Sequence, residues 1–214
     1  MALTLSIDPV NPEDRVLVLA AEVIQAGGVI VYPTDTMYGI GANALNPEAI
    51  AKVRAVKRRT DQKPILVLVS GPAEVKDLTP EITPTAQLLM DSFWPGPLTL
   101  VFAAADVIPS VLRSGGNTIG IRVPSNPLCL KFLRLCGCPI TSTSANLSGE
   151  MTETTVAEIR KSLAAGVDLY LDAGVLPESK PSTVVDVSVT PPRLLRAGVI
   201  DVDRLRAVVH DLVP

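Results

Sequence analysis

The chain has 214 residues, long enough to bury a core without a disulfide or metal staple. Hydrophobic residues make up 47% and charged residues 19%, which excludes an intrinsically disordered chain. The formal net charge of −3, from 19 basic and 22 acidic side chains, argues against a protein that grips a long nucleic-acid backbone by general electrostatics.

The first nine residues lack a basic stretch followed by an apolar run, so no signal peptide is expected and the chain is read as cytoplasmic. No segment has the length and purity of a membrane span. Asn11-Pro12-Glu13-Asp14 reads as a helix start, with a capping amide, proline and then acids in the first turn. That helix is expected to reach about residue 25 and stop at Gly27-Gly28. Residues 29–32 form a short apolar strand closed by Pro33. Asn46-Pro47-Glu48 and Thr83-Pro84 repeat the start chemistry for helices ending near Val56 and Phe93. Between them, residues 65–69 read as a β-branched strand, and Trp94-Pro95-Gly96-Pro97 breaks the second helix.

Strands are expected at 98–102, 118–123 and 140–143, with a helix at about 127–135. A helix over 153–163 puts Val156, Ile159 and Leu163 on one face. Strands at 167–171, 183–187 and 194–195 and a helix over 202–212 complete the chain. Short apolar strands interleaved with helices predict an α/β fold: a twisted, mostly mixed β-sheet flanked by helices, in a single domain over 1–214. Cys129, Cys136 and Cys138 have no metal-site spacing and read as reduced thiols.

Polar clusters interrupt this apolar pattern at the ends of predicted elements, where sites in α/β folds gather. Pro33-Thr34-Asp35-Thr36-Met37-Tyr38-Gly39-Ile40-Gly41 is either an ordinary turn or a loop that approaches a small polar ligand closely. Residues 57–63 hold four cations, either a solvated basic turn at a helix end or a polyphosphate clamp. Thr141-Ser142-Thr143-Ser144-Ala145-Asn146-Leu147-Ser148-Gly149 carries hydroxyl or amide groups that either cap and turn the chain or donate to a nucleotide. Arg122 interrupts an apolar strand, as a paired structural charge or an anion ligand. Pro181-Ser182-Thr183 opens a strand late in the chain, and Arg196-Ala197-Gly198 ends one. The chain has no phosphate-binding G-x-x-x-x-G-K-[ST] loop, no G-x-G-x-x-G and no G-x-S-x-G elbow, and its one histidine is His210. Chemistry here would rest on positioning and charge neutralisation rather than on histidine acid–base work.

Six motifs follow in order: P-T-D-T-x-Y-G, K-x-R-x-x-x-K-P, W-P-G-P-L-T, S-x-N within S-T-S-A-N-L-S-G, P-S-T-V-V-D and L-L-R-A-G. Together they resemble the YrdC/TsaC family of threonylcarbamoyl-adenylate synthases, over about residues 10–200 and in the short single-domain form. The resemblance implies a YrdC-like fold. It implies a nucleotidyltransferase that makes threonylcarbamoyl-AMP and pyrophosphate from L-threonine, bicarbonate and ATP, with Mg²⁺ accompanying the ATP. On matching positions it implies a catalytic set of Lys57, Arg59, Ser144 and Asn146 around the ATP, with Lys63 nearby and Arg196 facing the phosphates. Thr36, Arg122, Ser142 and Ser182 would line the threonine end, and Thr118 would sit where the two ligands meet. It also implies hand-off of the product to tRNA threonylcarbamoyl-transfer proteins, and the basic turn leaves weak tRNA or RNA contact open. The sequence departs from the family pattern at Thr60, where many members have proline, and in lacking a histidine after the K-P motif. An RNA-binding or ribosome-assembly protein and a nucleotide-binding regulator without turnover are the rival readings. The 3% aromatic content weakens the first of them.

Overall fold

The computed structural model describes residues 2–58, 64–113, 116–163, 165–177 and 179–214. Arg59 and Lys63 of the basic turn lie outside these residues. In chain order the elements are β1 (Leu3–Ser6), α1 (Asp14–Gln25), β2 (Ile30–Pro33), β3 (Tyr38–Gly41), α2 (Pro47–Val56), β4 (Leu66–Leu68) and a 3-10 turn (Pro72–Asp77). Then follow α3 (Pro84–Phe93), β5 (Leu98–Ala103), α4 (Ser110–Arg113), β6 (Thr118–Arg122), α5 (Pro127–Cys136), β7 (Ile140–Ser144), α6 (Val156–Ser162), β8 (Leu169–Asp172), β9 (Thr183–Asp186), β10 (Arg193–Arg196) and α7 (Val202–Arg206).

The strands form one mixed sheet of ten in the order β1-β8-β2-β3-β7-β4-β6-β5-β9-β10. Parallel pairs such as β4–β6 and β5–β9 alternate with antiparallel pairs such as β3–β7 and β5–β6. Both faces are covered, which is why the central strands read as continuous apolar runs. One core packs α1 and α5 on β2 and β8, with Leu17, Ile24, Tyr32 and Phe132 buried. The larger core lies under α2 and α3 and includes Ile50, Val53, Leu89 and Leu100.

Helix starts follow local chemistry. Asn46 caps α2, its Oδ1 accepting from Glu48 N at 3.0 Å and Ala49 N at 3.2 Å. Thr83 caps α3 through Ala86 N at 3.2 Å, and Asn126 caps α5 through Cys129 N at 2.9 Å. Asn11 is not a cap: α1 begins at Asp14, and Glu13 precedes it without a side-chain cap bond. Asp8 takes that segment into a turn of its own, accepting from Val10 N at 2.8 Å and Asn11 N at 3.2 Å. The residues expected as one loop after Pro33 contain β3, which pairs with β2 on one side and β7 on the other. α7 ends at Arg206, short of the expected 212. Among the described residues, no helix is long and apolar enough to cross a membrane.

Candidate active site

A cavity of about 640 Å³ opens where several strands end, a size typical of ligand sites. The turn joining β2 to β3 supplies Thr34 and Thr36, the end of β6 supplies Arg122, and β7 supplies Ser142 and Ser144. The segment after β7 adds Asn146, Glu150 and Glu153, and the late loops add Ser182 and Arg196. Thus Thr36, Arg122, Ser142, Ser144, Asn146, Ser182 and Arg196, chosen from separate stretches of sequence, share one wall.

Arg122 is 4% exposed, and its guanidinium is fastened by three residues from two loops. Nε donates to Gly96 O at 2.9 Å, Nη1 to Thr36 Oγ1 at 3.3 Å, and Nη2 forms a buried ion pair with Asp35. Gly96 belongs to the W-P-G-P break, so that motif ends α3 and also supplies an acceptor to the site. Thr34 Oγ1 spends its proton on Met37 O at 2.7 Å, so Thr36 is the donor across the 3.2 Å contact between the two hydroxyls. Thr36 thereby accepts from Arg122 and donates to Thr34, which fixes its rotamer.

Arg196 reaches the same end of the cavity. Its Nε and Nη2 donate to Ser182 O at 3.0 and 2.9 Å, and Nη2 also meets Ser182 Oγ at 3.0 Å. Ser182 Oγ lies 2.9 Å from Thr99 Oγ1, which holds it in place. Gly198 makes this approach possible: a Cβ there would stand 2.2 Å from Pro181 O and 2.5 Å from Thr183 N. One side of Arg196 stays open to solvent, yet burial of its head group and then the charge of Arg122 hold its pKa below the ordinary guanidinium value. Among the described residues, Arg196 has only neutral oxygen partners. Arg122 already has Asp35 as its counter-ion, so Arg196 is the guanidinium on this cavity that a ligand anion would neutralise.

Lys57 does something else. It is 3% exposed, and its Nζ donates to Ser144 O at 2.5 Å, Asn146 O at 2.7 Å and Asn146 Oδ1 at 3.2 Å. Ser144 Oγ also donates to Asn146 Oδ1, and Asn146 Nδ2 donates to Glu150 O at 2.6 Å. The K-x-R lysine therefore ties down the S-x-N segment that lines the cavity. Thr118 is at the far end of β6 and does not line the cavity. Four residues at strand rise separate it from Arg122 by roughly 13 Å. Thr141 is spent in the ladder, its Oγ1 accepting from Ala42 N at 2.9 Å, while Ser142, Thr143 and Ser144 line the cavity.

Sequence reasoning passed over Asp35 and Gly96. An acid between two threonines in a turn, and a glycine between two prolines at a helix end, were the available signals. The thiols stay out of the chemistry: burial pushes the Cys129 and Cys136 pKa values up, and that of Cys138 up to about 11. No group of three or more His, Cys, Asp or Glu side chains suited to a metal exists among the described residues.

Residues 22–198 match the Sua5/YciO/YrdC family model, whose description is telomere recombination. The chain belongs to this family. It is 34% identical over 203 residues to the threonylcarbamoyl-AMP synthase of Bacillus subtilis, covering 94% of this chain and 59% of that protein. The solved structure of Pyrococcus abyssi Sua5 complexed with L-threonine superposes with a TM-score of 0.92 at 30% identity, covering 100% of this chain and 62% of that one. The crystal structure of Escherichia coli YciO gives a TM-score of 0.87 at 33% identity, over 96% of this chain and 100% of that one. The chain thus spans about three fifths of the first two relatives and the full length of the third.

Proposed function

We propose that the chain is an L-threonylcarbamoyladenylate synthase, forming threonylcarbamoyl-AMP and pyrophosphate from L-threonine, bicarbonate and ATP. The observation that carries this reading is the convergence of Arg122 and Arg196 on one hydroxyl-lined cavity. Its fold matches a Sua5 structure solved with L-threonine. Arg122 suits the carboxylate of an amino acid, since its fork can give two parallel hydrogen bonds. Thr36 beside Arg122 and Ser182 beside Arg196 would orient the rest of that ligand.

In the proposed reaction the threonine amine attacks the carbon of CO2 formed by dehydration of bicarbonate, and it loses a proton to give a carbamate. A carbamate oxygen then attacks the α-phosphorus of ATP, the bond from that phosphorus to the bridging oxygen breaks, and pyrophosphate leaves. No strong base is needed at the second step, because the carbamate oxygen already carries charge. The chain's task is to hold two anions together. Arg196 supplies positive charge without a carboxylate partner among the described residues, and Ser144 and Asn146 present polar groups fixed by Lys57. Mg²⁺ would come with the phosphates. It needs only one or two carboxylates and keeps several waters, a demand that Glu150 and Glu153 on the cavity wall fit. Bound there, it would offset phosphate charge. Arg59 and Lys63 remain proposed ATP ligands on their motif positions alone.

The product would pass to tRNA threonylcarbamoyl-transfer proteins, which would place the chain in the cytoplasm, with direct tRNA contact weak at most. The test is pyrophosphate release from ATP with threonine and bicarbonate present and each omitted in turn. Release that needs both is expected. Release without threonine, or none while ATP still binds, would replace this reading with a plain hydrolase or a nucleotide-binding regulator.

A further inference from the structure

Asp35 is the one charged side chain of the P-T-D-T turn, and the reaction above gives it no role. Both its oxygens are held. Oδ1 takes Nη2 of Arg122, and Oδ2 takes Ser125 N at 3.2 Å and Ser125 Oγ at 2.8 Å. The carboxylate therefore ties the turn after β2 to the loop after β6, with the Arg122 fork between them. Of the five N–H donors on Arg122, Nε–H goes to Gly96 O and one on each Nη goes to Thr36 and Asp35. One N–H on each Nη is left over on a guanidinium that lines the cavity, so this fork still has donors for a ligand.

We propose that Asp35 is a positioning residue that aims this fork at the substrate carboxylate and cancels the charge of Arg122. The second effect matters as much as the first. With Asp35 in place, Arg122 offers directed hydrogen bonds with little net charge, and Arg196 holds the uncompensated charge nearby. The Arg122 end then selects ligands by the shape of their carboxylate rather than by charge alone. Without Asp35, two guanidinium charges would face the cavity and any small anion would be drawn in.

The inference rests on the synthase reading for its substrate, and its test separates the two. In Asp35→Asn, the threonine KM in pyrophosphate release should rise about tenfold or more while the ATP KM stays within about twofold. Binding of inorganic phosphate, read by calorimetry, should strengthen by about threefold. The Arg122 Nε–H donates to Gly96 O in the parent chain and should exchange faster in the variant than in the parent. If Asp35→Asn does not fold, Ser125→Ala removes one of the bonds to Oδ2 and should move all three readouts in the same direction by less. Opposite shifts for threonine and phosphate are not expected of a merely structural residue. Equal losses for threonine and ATP, or unchanged phosphate binding with unchanged Arg122 exchange, would overturn the proposal. If the parent chain releases pyrophosphate without threonine, the synthase reading fails alone, and phosphate binding with Arg122 exchange still decides the role of Asp35.

Discussion

Arg122 and Lys57 are both buried cations that rise out of apolar stretches, and the protein uses them in opposite ways. Arg122 spends three N–H groups on fixed partners and keeps a planar fork toward the cavity. Lys57 sets its ammonium on Ser144 O, Asn146 O and Asn146 Oδ1, in a segment that lines the cavity. A guanidinium can be anchored and still reach out, because its donors point in several directions in one plane. An ammonium is a compact point charge whose donors here reach backbone and amide oxygens of one segment. The motif lysine thus holds a loop of the site, while the strand arginine is the residue proposed to meet the ligand.

The largest expected effect comes from Arg122→Ala. It removes the fork and leaves Asp35 as a buried carboxylate without its cation, a change of about 3–5 kcal/mol in folding stability. Threonine-dependent pyrophosphate release should fall by about a thousandfold or more, since the substrate loses its anchor. Arg122→Lys should recover more stability than turnover, because it restores charge without the fork. Urea unfolding and initial rates on the two variants check this. Turnover within tenfold of the parent chain in Arg122→Ala would erase the contrast with Lys57.

Lys57→Met sharpens the other side. If the lysine is a strut, the free protein should lose about 3 kcal/mol, because two carbonyls and an amide oxygen lose their donor. If its main work were to meet phosphate, the ligand-free protein would unfold at the same urea concentration as the parent. Gly198→Ala comes next, at about 2 kcal/mol. Its Cβ would press on Pro181 O and Thr183 N, backbone atoms that cannot swing aside. It should also loosen Arg196 from Ser182, weakening anion binding measured by calorimetry.

These contrasts explain which parts of the molecule the sequence made legible. Asn46 and Thr83 cap their helices because cap chemistry acts within three residues. β3 was hidden, since Tyr38-Gly39-Ile40-Gly41 has a turn's glycine content and is stabilised by β2 and β7 on either side. The motifs pointed to most of the cavity wall, because hydroxyl and cationic residues at strand ends are a local signal. The division of labour was not local. Asp35 meets Arg122 across 87 positions of sequence, and Lys57 meets Asn146 across 89. Nothing in the spacing of K-x-R says whether its lysine faces a ligand or the S-x-N loop.

Thr118 gives the smallest expected effect and the cleanest check on where the cavity ends. It begins β6, opposite Ala103 of β5, while Arg122 ends the same strand at the cavity. Valine keeps the β-branched shape the ladder favours and removes only the hydroxyl. Thr118→Val should therefore change stability by less than about 0.5 kcal/mol, the ordinary range for a site away from buried networks. Threonine and ATP KM should each stay within about twofold of the parent chain. A tenfold rise in either would mean that a ligand reaches along β6 past Gly120. The contrast between a ligand-facing Arg122 and a ligand-free remainder of the strand would then be wrong. If both constants hold, the ligand contacts of β6 end at its last residue, and Arg122, paired with Asp35 from the turn after β2, is the part of that strand on which selectivity depends.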